Sequence, residues 1–249
     1  FPDGVARMRD GSPLPGGRWA GGLAYRTNSR DALRSALRNL PHHAELAAGG
    51  VYFDTLPAWP EESFEPGNEC SREEAVRYRQ ELIRAYQEHG FIIGGEEGGD
   101  WASPVLDWNP VSAHKHRVGA TPPLWSLVYH DCSVGIRSVG APGSDGEFSP
   151  AMRRRCLENL LWGWAVTFRG FAAATWPTWK RAFAASLPVD EWHARIGSAR
   201  MTNHVYLTDD LTVERTEWSS GEAITVNFGE EAAEVDGRVI EGAGYAIST

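Results

Sequence analysis

Polar side chains lie at the ends of three short apolar runs. Asp54 lies within VYFDTL, Glu96 and Glu97 follow FIIGG, and His130 with Asp131 closes PLWSLVYHD. In a parallel α/β barrel, side chains at the carboxyl ends of the strands face the active site. If the three runs are neighbouring parallel strands, these groups meet at one end of the sheet.

Two carboxyl groups on neighbouring strands suit the cleavage of a glycosidic bond. One must protonate the leaving oxygen, and the other acts on the anomeric carbon. Retaining enzymes hold the two groups about 5–5.5 Å apart, which is close to the spacing of about 4.7–4.9 Å between adjacent strands. The pattern favours Asp54 as the nucleophile and Glu96 as the acid/base, with Glu97 as the alternative acid/base. Asp54 as a residue that merely caps a βα loop fits the spacing equally well.

The charge around Glu96 fits the acid/base role. Glu97 and Asp100 add like charges that raise the pKa of a neighbouring carboxyl group, and a general acid must keep its proton near neutral pH. His130 and Asp131 could hold a substrate hydroxyl, but a structural histidine with satisfied ring nitrogens is the alternative.

The chain has eleven tryptophans, an excess that is typical of grooves where sugar faces stack. Trp59, Trp101 and Trp125 follow or lie within the runs that carry the polar groups. Packing in the core is the competing explanation for each of these rings.

The elements that must position these residues alternate between helix and strand. We predict a helix from Asn28 to Leu40 closed by Pro41, and a strand over 51–56. A capping box, SREE, begins the next helix, which ends at Gly90, and a strand over 91–96 follows. This is a β-α-β unit, and such units form parallel sheets.

The second half continues this pattern and then changes. A third strand over 123–132 and a helix over 153–168 are predicted, whereas short alternating runs after residue 185 indicate antiparallel β structure. A complete eight-stranded barrel needs about 250 residues. We therefore predict an α/β fold: the C-terminal part of a (β/α)8 TIM-type barrel over residues 1–190, then a small antiparallel β-sandwich over 191–249. The first half of the barrel is expected outside this chain.

Composition excludes several classes of partner. The formal charge of -9 and the pI of about 5.4 argue against nucleic acid, and no apolar run approaches the roughly 20 residues of a membrane span. The first residues have no leader character and suggest a missing N-terminus, so the sequence gives no cellular location. An extracellular location would suit an enzyme that degrades glycans. Three cysteines leave at least one free thiol, and a disulfide between Cys70 and Cys132 stays open.

A metal-dependent hydrolase is a rival interpretation, because His42-His43, His114-x-His116, Asp54 and His130-Asp131 offer many ligands. The first two histidine pairs lie in polar, proline-bounded segments rather than at the ends of apolar strands, where a paired-histidine zinc site is expected. The sequence therefore predicts no metal and no organic cofactor.

Four strings, VYFDTLPAW, Glu69-Cys70, GGEEGGDWASP and PLWSLVYHDC, occur in an order and spacing that resemble the bacterial endo-α-N-acetylgalactosaminidases and related α-N-acetylgalactosaminidase-like barrel hydrolases. In that family an Asp in a Y-x-D setting is the nucleophile and a Glu in an E-x-G-x-D-W setting is the acid/base. The resemblance thus implies Asp54 and Glu96, and it implies that the PL-x-x-LVYHD run lines a sugar subsite. A β-sandwich after the barrel is also typical of the family.

The sequence predicts a retaining glycoside hydrolase that cleaves α-linked N-acetylgalactosamine or galactose in an oligosaccharide or glycan by double displacement. A non-catalytic carbohydrate-binding homologue is the alternative, and a metal-dependent barrel hydrolase is less favoured. Two departures from the family pattern, the double Glu and the absent first barrel strands, leave the acid/base residue and the sugar open. The predicted substrate-binding residues are Trp59, Glu69, Asp100, Trp101, Trp125, His130 and Asp131.

Overall fold

A computed structural model describes residues 4–110, 121–142, 148–168 and 176–249, with Thr178 described only by its backbone. The chain divides into two compact units, residues 1–109 and 110–249. In chain order, the elements up to the boundary are β1 (Pro15–Trp19), β2 (Gly22–Tyr25), α1 (Ser29–Ala44), β3 (Gly50–Phe53), α2 (Arg72–Glu88), β4 (Ile92–Gly95), a 3-10 turn (Ser103–Val105) and β5 (Trp108–Pro110).

Strands β3, β4 and β5 run parallel, and helix α2 connects the first two. The β-α-β prediction is therefore confirmed. Helix α2 begins at the predicted capping box, in which Ser71 accepts from the amide of Glu74 and the Glu74 carboxylate accepts from the amide of Ser71. After the helix, Gly90 takes a φ of +86°, a left-handed conformation that favours glycine.

One face of this sheet packs against α2. Leu82, Ile83 and Tyr86 of the helix form a core with Phe91 and Ile93 around β4. The regular spacing of these apolar residues along α2 places them on one helix face, as the periodicity predicts. Helix α2 therefore covers one face of the sheet. Alternate side chains of the strands point to the other face.

The first predicted helix is longer than expected. Helix α1 continues through Pro41 to Ala44, and Asn28 caps its start by accepting from the amide of Arg30. Proline removes one amide donor and crowds the carbonyl four residues earlier, but Pro41 lies in the last turn, where the amide of Glu45 still donates to the carbonyl of Pro41 at 3.3 Å. The predicted stop at Pro41 is wrong by one turn.

The second unit contains α3 (Leu124–Tyr129), β6 (Val134–Ser138), α4 (Pro150–Trp162), β7 (Ala165–Thr167), α5 (Trp176–Ile196), β8 (Met201–Tyr206), β9 (Val213–Trp218), β10 (Ala223–Asn227), β11 (Ala233–Val235), β12 (Arg238–Ile240) and β13 (Gly244–Ser248). Strands β6 and β7 are parallel. The order β13-β10-β9-β8 forms a four-stranded antiparallel sheet, and β11 pairs with β12.

The predicted third strand over 123–132 is wrong, because this segment forms α3. Leu124 and Val128 are exposed while Ser126 and His130 are buried, a spacing of four residues that fits a helix. The Ser126 hydroxyl donates to the carbonyl of Trp162 at 2.7 Å and accepts from the Trp164 indole at 2.8 Å. These contacts place Ser126 on the buried face of the helix. The apolar character of the run, which suggested a strand, gives no sign of them.

The helix predicted over 153–168 begins earlier and ends earlier. Helix α4 begins after Ser149, which accepts from the amide of Met152, and it ends at Gly163 with a φ of +72°. A Cβ at Gly163 would lie 2.4 Å from the Trp218 ring and 2.5 Å from His130 Nε2, so only glycine fits this site. The following residues belong to β7.

The antiparallel character predicted after residue 185 is confirmed for the six strands from β8 onward. Helix α5 continues through the predicted boundary at 190 and packs, with α4 and the four-stranded sheet, on one apolar core. The fold is thus a mixed α/β structure with parallel and antiparallel sheets. A closed barrel, a β-sandwich and the division at 190 remain predictions.

Cys70, Cys132 and Cys156 are all free thiols, so the disulfide that the sequence left open between the first two is not formed. Burial raises the pKa of Cys156 to about 12. Among the described residues, no helix is both long and apolar enough to cross a membrane.

Candidate functional site

The turn after β3 presents Asp54 to solvent. The amide of Leu56 donates to the carbonyl of Asp54 at 2.7 Å, and the amide of Ala58 donates to that of Thr55 at 3.1 Å. Thr55 has a φ of +56°, which is uncommon for a β-branched residue and marks a sharp turn. The chain therefore leaves the sheet abruptly at the residue that carries the carboxyl group.

The turn after β4 repeats this arrangement with Glu96. The amide of Glu96 donates to the carbonyl of Phe53 at 3.1 Å and so extends the ladder between the strands, while Glu97 has a φ of +49°. A Cβ at Gly95 would lie 2.3 Å from Pro57 Cγ, so glycine lets the two turns pack directly together. The two acidic residues are thus held by adjacent, contacting turns.

Asp54 and Glu96, called the carboxyl pair below, are hydrogen-bonded through their side chains. This bond raises the pKa of Glu96, and burial and the negative charges of Asp54 and Glu97 raise it further, against the opposing contact with the Thr55 amide. Such a pair supplies one acid and one carboxylate at the same place.

Glu97 itself lies beside the pair. Its side chain is exposed, and its backbone is left-handed where that of Glu96 continues the strand ladder. It contributes charge to the pKa of Glu96, whereas Glu96 holds the hydrogen bond to Asp54. Of the two glutamates, the geometry therefore favours Glu96 as the partner of Asp54.

An aromatic pair lies on the strands beside the carboxyl groups, with Tyr52 two residues before Asp54. The rings of Tyr52 on β3 and Trp108 on β5 stack with centroids 5.3 Å apart, across Gly94 on β4. A Cβ at Gly94 would lie 2.1 Å from the Trp108 ring, so the stack depends on that glycine. Residues two apart on a strand share a face, so the pair extends the face that leads to the carboxyl groups. Neither ring was among the predicted site residues.

The substrate-binding candidates of the first unit differ in exposure. Trp59 is 53% exposed, with the Arg26 guanidinium 5.1 Å from its ring centroid, and Asp100 and Glu69 are also exposed. Trp101 is half-buried, and its carbonyl accepts from the Gln80 side chain at 2.7 Å. Trp59 is therefore the most accessible ring among the predicted residues.

Arg79 on α2 was not predicted as a site residue, yet it reaches the turn that carries Asp54. It is 6% exposed, and its Nη1 donates to the carbonyls of Leu56 at 2.6 Å and Trp59 at 2.5 Å. Burial lowers the pKa of Arg79, and the Glu61 carboxylate, which accepts from Nη2, opposes that effect. The available signal was an arginine within the apolar stripe of α2, four residues after buried Ala75.

His130 lies in the second unit and is 3% exposed. Its Nδ1 lies 2.8 Å from the carbonyl oxygen of Ala199, and its Nε2 lies 2.8 Å from that of Gly163. Burial lowers the pKa of His130, although both carbonyls oppose this change. The structure favours the structural histidine over the hydroxyl clamp, because both ring nitrogens face backbone carbonyls.

Asp131 and Trp125, the other two candidates near His130, differ in exposure. Asp131 is exposed, and its carboxylate lies 3.5 Å from the Cys132 thiol. Trp125 is half-buried, and its ring meets Trp164 edge to face at 6.4 Å between centroids. Core packing accounts for Trp125, whereas Asp131 is still open to a ligand.

Within the described parts of the chain, no three or more His, Cys, Asp or Glu side chains form a cluster that could hold a metal ion. His43 Nδ1 lies 2.7 Å from the Tyr86 hydroxyl, inside the contact between α1 and α2. His114 and His116 lie outside the described residues.

Several solved structures with a similar fold are glycoside hydrolases. The ligand-free α-N-acetylgalactosaminidase of Bifidobacterium bifidum matches 92% of this chain at a TM-score of 0.73 and 25% identity, and the match covers 38% of that enzyme. Its GalNAc complex matches 100% of this chain and 39% of the enzyme, at 0.76 and 23%. The cyclic α-maltosyl-(1→6)-maltose hydrolase of Arthrobacter globiformis shares the fold at a TM-score of 0.56 and 11% identity, over 99% of this chain and 67% of that one.

The chain spans about two fifths of the length of the B. bifidum enzyme. Neither a protein-family model nor a curated protein sequence matches it. The carboxyl pair thus lies in a chain whose structural neighbours are glycoside hydrolases, and this similarity supports that class of enzyme without identifying a substrate.

Proposed function

We propose that this chain forms the catalytic part of a retaining α-glycosidase, with Asp54 as the nucleophile and Glu96 as the acid/base. The placement of both carboxyl groups on contacting turns after adjacent parallel strands is the observation that carries the proposal. A non-catalytic sugar-binding protein has no need for two convergent carboxyl groups in adjacent turns. The raised pKa of Glu96 supports its role, because a general acid must still hold its proton when substrate binds.

The proposed reaction has two steps. Asp54 attacks the anomeric carbon while Glu96 gives its proton to the leaving oxygen, so a glycosyl–aspartate ester forms and the glycosidic bond breaks. Glu96, now a carboxylate, takes a proton from water, whose oxygen attacks the same carbon and releases Asp54. The second displacement restores both groups and the original anomeric configuration.

The strand spacing supports retention rather than inversion. Inverting enzymes need about 6.5–9.5 Å between carboxyl groups to admit a water, whereas retaining enzymes need about 5–5.5 Å. Asp54 and Glu96 follow adjacent parallel strands, which lie about 4.7–4.9 Å apart, and their turns are in contact. This spacing is closer to the retaining separation.

We further propose α-linked N-acetylgalactosamine or galactose within a glycan as the substrate. The fold similarity to the B. bifidum α-N-acetylgalactosaminidase supports this choice. Exposed Trp59 is the proposed stacking ring, and Glu69, Asp100, Trp101 and Asp131 are the other proposed contacts. A (β/α)8 barrel that includes residues 1–190 and a β domain over 191–249 complete the proposal.

The experiment is hydrolysis of aryl α-glycosides of N-acetylgalactosamine, galactose and glucose by the full-length protein. Asp54→Ala and Glu96→Gln are compared with Glu97→Gln, which changes the adjacent glutamate in the same turn. Turnover of one sugar that collapses in the first two variants and persists in the third supports the proposal. Sugar binding without turnover supports the non-catalytic homologue, and loss of activity in Glu97→Gln alone moves the acid/base to Glu97.

A further inference from the structure

The segment from Asp54 to Glu61, called the β3 loop below, has few contacts of its own that define its shape. Its internal backbone hydrogen bonds are those from Leu56 to Asp54 and from Ala58 to Thr55. No strand in the described chain pairs with it. A loop with a left-handed Thr55 and only two short turns needs other groups to hold it in one conformation.

The Arg79 guanidinium, on helix α2, makes these contacts with the loop. One guanidinium nitrogen, Nη1, donates to two loop carbonyls, at Leu56 and Trp59, and Nη2 pairs with Glu61 at the end of the loop. The third nitrogen, Nε, donates to the Ser29 hydroxyl at 3.0 Å and so connects the loop to the start of α1. A single side chain therefore contacts three positions along the loop.

Packing alone does not explain an arginine at this position. The neighbouring buried positions of α2 are Leu82, Ile83 and Tyr86, and an apolar side chain would complete that face without burying a charge. A buried guanidinium is costly unless its donors and its charge are satisfied, and here the loop carbonyls and Glu61 satisfy them. The planar fork of arginine suits several acceptors in fixed directions, which a lysine cannot match.

The same network extends to the exposed ring of Trp59. Glu61 also pairs with Arg26, whose guanidinium lies over the Trp59 ring. The backbone of Trp59 is held by Arg79, and its ring is held by Arg26. The β3 loop thus begins at the proposed nucleophile and carries the proposed stacking ring five residues later.

We propose that Arg79 is a positioning residue that fixes both Asp54 and Trp59 through the β3 loop. The inference rests on the proposed function for the roles of these two residues. Arg79 touches no reacting atom in this arrangement. Its loss releases the loop, loosens the contact between Asp54 and Glu96, and leaves the Trp59 ring without a fixed orientation. A loose nucleophile lowers kcat and a loose stacking ring raises KM.

The test compares Arg79→Met and Arg79→Lys with Arg77→Met in the full-length protein. Arg77 is the matched control, because it lies on the same helix and pairs with Glu81 on an exposed face. We expect Arg79→Met to lower kcat by on the order of 10²-fold and to raise KM, since displacement of a reacting group by about 1 Å has an effect of that size. Arg79→Lys keeps the charge and should restore part of both constants, and Arg77→Met should change neither.

The titration of Glu96, followed by NMR of its carboxyl carbon, is the decisive measurement. A looser contact with Asp54 shifts the Glu96 titration to lower pH in both Arg79 variants, and the high-pH limb of the rate profile moves with it. General destabilisation lowers Tm without moving that titration. Arg79→Lys decides the question if Arg79→Met does not fold.

An unchanged Glu96 titration and an unchanged kcat in folded Arg79 variants would overturn the inference. The NMR titration does not need turnover, so it separates the two proposals. If the wild-type protein hydrolyses no glycoside but the titration moves, the proposed function fails and the role of Arg79 stands. If the wild-type enzyme is active but neither the Glu96 titration nor kcat changes in the Arg79 variants, the proposed function stands and the role of Arg79 fails.

Discussion

Asp54 and Glu96 lie at the ends of two parallel strands, where they bond to each other and remain open to solvent. His130 lies after the short helix α3, buried between the backbone carbonyls of Ala199 and Gly163. Both regions begin as a polar residue that ends an apolar run. Glu96 has one backbone contact, with the Thr55 amide, and both carboxyl groups are at least partly accessible to solvent. His130 is buried, and both of its ring nitrogens face backbone carbonyls.

The difference shows which property separates a site from a structural contact. The hydrogen bond with Asp54, together with burial, raises the pKa of Glu96, and burial lowers that of His130; both changes favour the neutral form. Neutral Glu96 keeps a proton that it can donate to a substrate. Neutral His130 gives its one N–H to a carbonyl and has no accessible face. The availability of the proton, more than the size of any pKa change, distinguishes the two regions.

The largest expected effect is on turnover when the nucleophile is removed. Asp54→Asn should lower kcat on the order of 10⁴- to 10⁶-fold, the scale seen when a covalent nucleophile is lost. Its exposed side chain makes little contribution to the core, so Tm should stay close to that of the wild type. Initial rates and a thermal melt on the same preparation check this pair of results. Retained activity would place the nucleophile elsewhere.

Glu96→Gln should lower kcat by about 10²- to 10⁴-fold, the contribution of general acid–base catalysis. The loss should be smaller for an aryl glycoside with a good leaving group. Such a leaving group departs without protonation, so the first step no longer needs the acid. Rates for a dinitrophenyl and a methyl glycoside measure this contrast. Equal losses on both substrates would argue against Glu96 as the proton donor.

His130→Ala should affect stability and leave turnover per folded molecule unchanged. The cost is about 1–3 kcal/mol for the one buried carbonyl that loses its donor, in addition to the loss of the ring contact with Trp218. Urea unfolding and kcat together test this separation. Asp131→Asn, on the exposed neighbour, serves as the control with a small effect on stability. A fall in kcat without a loss of stability would return His130 to the site.

The smallest predicted effect is a difference in the sign of two pH dependences. Folded Glu96 keeps its proton above its ordinary pKa of 4.5, so its contribution to stability is present at lower pH and is lost as pH rises through the folded pKa. His130 has a folded pKa below 6.5, so its contribution is lost as pH falls below that value. Glu96→Gln should flatten the first slope and His130→Gln the second, as measured by unfolding free energy against pH. The same sign in both variants would contradict this account.

Local rules were sufficient to predict the β-α-β unit that carries the carboxyl pair. The capping box at Ser71, the left-handed Gly90 and the apolar runs of β3 and β4 each have one physical interpretation, and they agree with one another. Neighbouring parallel strands then bring Asp54 and Glu96 together. The sequence also favoured Glu96 over Glu97 as the acid/base, and this role stays a prediction; the contact between the two turns depends on Gly95 and Pro57.

Longer-range contacts decide what the sequence did not reveal. The run before His130 is apolar enough for a strand, but Ser126 bonds to Trp162 and Trp164, which are more than thirty residues away, and this favours a helix. Arg79 was missed for the same reason, because its acceptors are loop carbonyls that no motif encodes. Tyr52 and Trp108 meet only through the register of three strands.

The most direct test of the central claim is to trap the covalent intermediate. The full-length protein is treated with a fluorinated, slowly released glycosyl fluoride of the sugar that it hydrolyses, digested, and analysed by mass spectrometry. The account predicts one added glycosyl mass on the peptide that contains Asp54, and none in Asp54→Asn. A label on Glu96 or Glu97, or turnover with no label on any carboxylate, would contradict it.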